Sequence, residues 1–309
     1  DAQGAMILYN EMALNKSDGS GSITFTKDFI NQYADGTRKA ADWNSLVFSN
    51  MSPQTQHDVS ISGGNGKWQY YVSMGYLYQE GFFRSRDLNY SKYNIRSNID
   101  AELARGLKFN LNISGIADNR STPDSDAVSL IRNLWKQGVL FPAYVDDAQA
   151  MLNYEGLDLM QNTVAMMTRS ISGYKDYREK QFQSSASLEY DFGTLTDVLK
   201  GLSLKGMASY DFRYDDNEFF RKSYNLYAQD ELTGEYVAKE FSDHSDRLTR
   251  ENYTKWQALG QILLNYSRTF ADKHDVGATF GYEAQKRRGD NYYLIGDLAF
   301  SSPYLTALK

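Results

Sequence analysis

The stretch WQYYVSMGYLYQEG, Trp68 to Gly81, decides how the chain reads. Its side chains alternate with a period of two. One face carries Trp68, Tyr70, Val72, Met74, Tyr76 and Tyr78; the other carries Gln69, Tyr71, Ser73, Gly75 and Leu77. Successive strand residues point to opposite faces, so the pattern predicts a strand with one apolar face. The same alternation recurs from Tyr93 (Tyr93, Ile95, Ile99, Ala101 against Asn94, Arg96, Asn98, Asp100), and from Leu107 (Leu107, Phe109, Leu111, Ile113 against Lys108, Asn110, Asn112, Ser114). It recurs again near Phe182–Phe192, Leu202–Phe212, Trp256–Tyr266 and Val276–Gln285, with a shorter strand near Gln56–Gly63, giving eight strand candidates.

A soluble antiparallel sheet with one wet face alternates too. The connections separate the two readings. Gly63–Lys67, Ala104–Gly106, Gly193–Gly201 and Ala271–Lys273 are short, whereas Glu80–Asn89, Asn119–Lys180, Asp215–Asn252 and the segment from Gly289 are longer. Short and long connections therefore take turns along the chain. Short turns at one end and long loops at the other mark an outer-membrane barrel, turns periplasmic and loops outside. The expected fold is all-β: an antiparallel transmembrane β-barrel segment. Residues 1–55 read as an extracellular loop with short helices. Residues 56–289 read as barrel strands with long loops at 119–180 and 215–252, and 290–309 as the start of a further loop.

Composition agrees. Tyrosine numbers 24, phenylalanine 16 and tryptophan 4 in 309 residues, an aromatic fraction of 14%. Aromatic rings concentrate at membrane–water interfaces, and Tyr76/Tyr78, Tyr190/Phe192 and Phe212/Tyr214 fall near expected strand ends. Arg96, Asp100, Lys205, Asp211, Arg213 and Glu283 lie on the opposite faces, where a wet lumen would accept them. The net charge of −6 argues against a nucleic-acid partner. With no cysteine, disulfides, thiolate metal sites and cysteine nucleophiles are excluded.

The block from Asp42 to Asp100 resembles the SusC/RagA family of TonB-linked outer-membrane transporters. The resemblance rests on Asp42–Trp43, on Ser60, Ser62, Gly63 and Gly64, and on the strand carrying Tyr70, Ser73, Gly75, Tyr76, Gln79, Glu80 and Gly81. It continues through Tyr93, Asn94, Arg96, Asn98 and Asp100, and more weakly through Asn225–Tyr236 and Asn265–Gln285. It implies a segment of a 22-stranded barrel closed by an N-terminal plug. It also implies energy coupling to TonB through that plug region, a SusD-like lipoprotein cap, and import of glycans or peptides. No plug, coupling motif or terminal strand is found, so the sequence is expected to be an internal segment. A passive porin-like channel and a soluble carbohydrate-binding β-protein are the rival readings.

No catalytic constellation emerges, and no cofactor is expected. His57 and His244 lack a nucleophile at recognisable spacing. Asp146/Asp147 and Asp215/Asp216 lack the spacing of a calcium loop. Gly63–Gly66 joins two strands and reads as a hairpin turn, not a phosphate cradle. In the long loop, Val128–Gln137 and Gln149–Tyr154 could form short helices. Trp135, Phe141, Tyr144 and Tyr154 either stack on substrate and support a cap, or give the loop its own small core. Arg96 and Arg213 are the wall residues expected to face the lumen.

Overall fold

The computed structural model describes residues 1–15, 21–38, 40–146, 148–154, 162–230, 232–240 and 245–298. Among the described residues are ten strands: β1 (Gln54–Gly64), β2 (Trp68–Glu80), β3 (Asn89–Ala104), β4 (Leu107–Pro123), β5 (Gly173–Asp191), β6 (Leu202–Arg221), β7 (Asn225–Gln229), β8 (Tyr236–Glu240), β9 (Arg247–Phe270) and β10 (His274–Asp297). Eight form one antiparallel sheet in the order β1-β2-β3-β4-β5-β6-β9-β10, and β7 and β8 make a separate hairpin. Among the described residues, six α-helices, α1 (Ala2–Leu14), α2 (Lys27–Ala34), α3 (Trp43–Val47), α4 (Ala127–Lys136), α5 (Thr163–Met167) and α6 (Arg169–Ser172), lie in the longer segments, and two single 3-10 turns, Phe192–Thr194 and Asp197–Leu199, lie in the short β5–β6 connection.

The long strands end in two different ways. At one end tight turns reverse the chain: Gly106 takes a left-handed φ of 78°, and Ala271 and Asp272 take φ of 52° and 54° in the β9–β10 turn. At the other end stand the described parts of 1–53, 81–88, 124–172 and 222–246, with helices α1 to α6 and the β7–β8 hairpin. Connections are thus sorted by end, as their alternation in sequence predicts.

The two faces of the sheet differ in chemistry. On one, which we call outward, Val59, Met74, Ile95, Leu188, Ile262 and Phe280 all lie exposed. On the other the register sets Ser73, Arg96, Ser114, Gln183, Asp211, Gln257 and Arg287 in a single hydrogen-bonded row. Burying the apolar face in a water-soluble core would require a second layer. The described residues place none over the middle of the sheet, where the apolar side chains lie open.

The register also yields the strand tilt. The outward apolar run of β2, Trp68 to Tyr78, is centred at position 73. Its row reaches β10 at Arg287, whereas the outward run of β10, Val276 to Ala284, is centred at Phe280. The apolar band therefore slips by about seven residues over about six strand spacings. At ~3.3 Å per residue and ~4.8 Å per strand this is a tilt of about 39°. Membrane barrels tilt their strands by roughly 35–45°. Corrected for tilt, the runs Phe182–Tyr190 and Leu202–Tyr214 stand about 20–30 Å tall, the height of a barrel's lipid-facing band. The sheet is an open segment of a transmembrane β-barrel wall, with β1 and β10 each paired on one side only.

Several boundaries differ from the sequence expectation. β5 begins at Gly173, β6 runs to Arg221 and β9 starts at Arg247, so strands occupy the outer parts of the loops expected at 119–180 and 215–252. β10 continues to Asp297, through the start of the loop expected at 290–309; residues 299–309 lie outside the described residues. Above the apolar band the outward face is charged or covered by loops, so alternation fades while backbone pairing continues. For the same reason Phe212 and Tyr214 sit inside β6, at the top of its apolar run and not at the strand end.

Outward and inward positions one residue apart should respond oppositely to charge. Ala186→Arg, at mid-height of the outward run of β5, should cost about 2–4 kcal/mol in urea unfolding of the full-length protein in lipid vesicles. Ser185→Arg, on the polar face, should cost under about 1 kcal/mol. Equal effects from the two would contradict the assignment of faces.

Candidate functional site

The loop end carries a small folded module with its own core. Trp43, Val47, Phe83, Leu130, Leu134, Leu152, Val164, Met166, Met167 and Leu226 are buried together, drawn from residues far apart in sequence. Asp42 caps α3 by accepting the Ser45 N–H at 3.1 Å, which starts the helix at Trp43. That hydrogen bond to Ser45 holds the Asp42 carboxyl below its ordinary pKa. The Trp43 indole N–H then donates to the carbonyls of Phe141 (3.1 Å) and Gly138 (3.3 Å), tying α3 to the long loop. Asp126 caps α4 through the Ser129 N–H at 2.9 Å, and α4 presents Leu130 and Leu134 to the core.

Two buried asparagines hold the module together. The Asn162 side chain is fully buried; its amide donates to the Ala143 carbonyl at 2.9 Å, and its oxygen accepts the Val164 N–H at 3.0 Å. Asn153 donates to the Pro142 carbonyl at 2.8 Å. Residues 143–146 and 151–153 pair as a short hairpin: Val145 N–H donates to the Met151 carbonyl and Asn153 N–H to the Ala143 carbonyl, each at 2.9 Å. The expected helix over Gln149–Tyr154 is therefore corrected to a turn and extended chain. The Asp146 carboxylate accepts the Ala150 and Met151 N–H groups, and Gln149 adopts a φ of 55°, which no helix allows. Helix α4, in contrast, matches the expected 128–137 closely.

The module joins the sheet through ionic and backbone contacts. Arg169 meets Asp176 with two parallel bonds of 2.7 and 2.9 Å, reaches Ser121 Oγ at 2.8 Å, and lies 3.5 Å from the Tyr174 ring centroid. Its own N–H donates to Asp87 at 2.8 Å. Within the loop end itself, Arg84 N–H donates to the Val47 carbonyl and Tyr154 N–H to the Tyr227 carbonyl of the β7–β8 hairpin. Between α5–α6 and the 81–88 loop lies an open cavity of about 700 Å³, lined among others by Arg84, Asp87, Tyr144, Arg169, Tyr174 and Lys222.

The residues singled out from sequence do not form one cluster. Tyr144 packs on the module's core and lines this cavity. Phe141 is half exposed, its carbonyl engaged by Trp43. Tyr154 is 42% exposed and Trp135 82% exposed, the latter on the face of α4 turned away from the core. Arg96 lines a shallow inward depression with Asn98, Asn112, Ser114, Gln183 and Asp211. Arg213 is committed to ion pairs with Glu179 (2.9 Å) and Asp215 (3.0 Å). Neither carboxylate pair considered for calcium becomes a site. Asp146 is bound to backbone, Asp147 lies outside the described residues, and Asp215 and Asp216 point to opposite faces. No group of three or more potential metal ligands occurs among the described residues. His57 lies on the outward face beside Tyr76, and His244 lies outside the described residues. Asn153, Asn162 and the Arg169–Asp176 pair were not read from sequence. Nothing local marks a polar residue whose partners are carbonyls of distant loops.

Asn162→Ala should cost about 1–3 kcal/mol by leaving buried backbone groups unbonded. We expect faster protease cleavage within 124–172 with an unchanged barrel melting transition; loss of both together would show that module and sheet unfold as one. The turn at 146–151 should also depend on pH. Bonding to the Met151 N–H lowers the Asp146 pKa. The turn should therefore keep its full stability above an ordinary aspartate pKa of about 3.9 and lose it as pH falls through the lowered value. Hydrogen exchange at Ala150 and Met151 measures this, and Asp146→Asn should remove the dependence.

No family model matches the sequence. A curated relative, the TonB-dependent receptor P3 of Formosa agariphila, is 21% identical over 225 residues, spanning 65% of this chain and 22% of the relative. Among solved structures, the RagAB peptide transporter superposes with a TM-score of 0.64 at 20% identity, over 99% of this chain and 31% of that one. The RagAB peptide importer in its open-open state gives a TM-score of 0.65 at 20% identity, over 97% of this chain and 30% of that one. The chain thus spans about a fifth of the curated relative and under a third of the solved chains. The chain shares the fold of part of the RagAB transporter's β-barrel and is similar in sequence to part of a TonB-dependent receptor.

Proposed function

We propose that the chain supplies wall and outer loops to a TonB-dependent importer in the bacterial outer membrane, and performs no covalent chemistry. The observation that carries this reading is the outward apolar band, about 20–30 Å tall and tilted about 39°, with the described α-helices and the β7–β8 hairpin gathered at one end. A soluble carbohydrate-binding sheet has no use for such a band. The sequence relationship to a TonB-dependent receptor favours an energised importer over a passive channel. In this reading the short turns face the periplasm and the loop module faces outside. TonB acts through a plug supplied by the rest of the protein.

The cargo class we propose is an oligomeric nutrient, peptide or glycan; the RagAB neighbour is a peptide transporter, so peptides come first. A SusD-like lipoprotein would cap the loop module. Trp135 is the leading contact, since an exposed tryptophan on a braced helix is a typical interface anchor. Phe141, Tyr144 and Tyr154 are secondary candidates around the same loop. Arg96 would meet cargo or plug on the inner wall, and Arg213 would do so through the outer edge of its ion-pair network.

Cells expressing the full-length protein should accumulate labelled oligopeptides or oligosaccharides only with TonB present and the proton-motive force intact. Uptake at an unchanged rate without either would replace the importer with a passive channel. Trp135→Ala should weaken binding of the cap lipoprotein about tenfold or more, without altering assembly of the barrel.

A further inference from the structure

The cavity of about 700 Å³ between α5–α6 and the 81–88 loop has a definite place on the wall. Two of its lining residues, Tyr174 and Phe220, continue the outward faces of β5 and β6. Both strands are paired on both sides, so the cavity is not a product of the sheet's open edges. Tyr174 lies eight residues above Phe182, where the outward apolar run of β5 ends. At a tilt of about 39° each residue climbs about 2.6 Å along the barrel axis, which sets the cavity about 20 Å above the lipid band. It is an aqueous site beside the lumen, and its volume falls within the roughly 300–1,000 Å³ of small-molecule sites. Ser85 Oγ donates to the Met167 carbonyl at 2.7 Å and Lys222 Nζ to the Ser170 carbonyl at 2.9 Å, so bonds within the protein set its shape.

The polar groups of the cavity are unevenly engaged. Asp87 accepts the Arg169 N–H and Asp176 takes the Arg169 guanidinium, so both of these carboxylates are turned on one residue. Asp146, near Tyr144, is bonded to the Ala150 and Met151 N–H groups. The Arg84 side chain has no acidic or hydrogen-bonding partner among the described residues, and Lys222 Nζ has only the Ser170 carbonyl. The Gln149 side chain and the Tyr144 hydroxyl likewise have no hydrogen-bond partner among the described residues. Gln149 holds a left-handed φ of 55°, a strain of the kind that recurs at ligand clamps. Beside these donors, Leu46, Val164, Met167 and Phe220 supply apolar surface. A bare inorganic anion would leave that surface unused. A sugar ring would need an open aromatic face, yet Arg169 covers the Tyr174 ring at 3.5 Å and Phe220 is buried.

We propose that this cavity binds the C-terminal residue of a short peptide. The carboxylate meets Arg84 and Lys222, the apolar side chain packs on Leu46, Val164, Met167 and Phe220, and the last amide group bonds Gln149 and Tyr144. A free chain end joins one negative charge to backbone polar groups and a side chain, and is recognised by cations and donors set around an apolar pocket. The inference rests on the peptide-importer reading above. It adds a capture site on the flank of the loop module, apart from the inner wall that carries Arg96 and Arg213.

Isothermal titration calorimetry of the full-length protein in detergent tests this, with the tripeptide Ala-Ala-Leu, its C-terminal amide, and galacturonate as probes. The free acid should bind about tenfold or more tightly than the amide, the worth of one charge-assisted hydrogen bond. It should also slow hydrogen exchange in 84–87 and 164–170. Arg84→Gln should abolish the preference for the acid and Arg84→Lys should keep it. Arg84 is exposed, so exchange in α4 should stay unchanged in both variants. Equal binding of acid and amide, a preference that survives Arg84→Gln, or slowed exchange confined to the inner wall overturns the site. Galacturonate bound as tightly as the acid overturns its assignment to a peptide end. Cells that import labelled oligosaccharides but no oligopeptides overturn the peptide reading itself, whereas peptide import with no acid preference overturns this site alone.

Discussion

A backbone surrounded by hydrocarbon has no water to bond, so every amide of the wall must find its partner in a neighbouring strand. That constraint explains why pairing is nearly continuous across strands as long as the 24 residues of β9 and β10, with one register shift at Glu102–Ala104 beside a turn. It also explains why irregular backbone is confined to two levels. Below, left-handed residues such as Gly106 reverse the chain within a few positions. Above, the loops leave the sheet entirely and fold on one another.

Strand pairing fixes register, and register distributes the side chains. Once Ser73, Arg96 and Ser114 share a row, the alternation in each strand decides that all three face the wet side. The charges that sequence alone assigned to a lumen, Arg96, Asp100, Lys205, Asp211 and Arg213, fall on that face together. The loop module obeys a different rule. Its core is assembled from short apolar pieces, and the polar groups of its connections are bonded by Asn153, Asn162, Trp43 and Asp146.

The two halves were accordingly unequal in legibility. Eight strands and the sorting of their connections could be read because a period of two recurs wherever one face meets lipid. Helix α4 could be read because its apolar positions repeat at helical spacing. The upper parts of β5, β6 and β9 could not, since segments such as 215–221 and 247–252 stand above the band and lose the alternation. Residues 149–154 misled for a local reason: a composition tolerant of helix is overruled by the Asp146 carboxylate and the left-handed Gln149. The individual roles of Trp135 and Tyr144 were equally hidden. Both are loop aromatics by sequence, yet the first faces solvent and the second packs on the core.

The tilt has a consequence for anything that moves along the inner surface. The row from Ser73 through Arg96, Gln183 and Asp211 to Arg287 is level with the strands' hydrogen bonds, not with the membrane. At a tilt of about 39° it climbs about 3 Å at each strand, or about 18 Å between β2 and β10. The polar lining is therefore threaded like a screw. A chain-like solute exchanging hydrogen bonds from one strand to the next would advance along the pore axis as it turned.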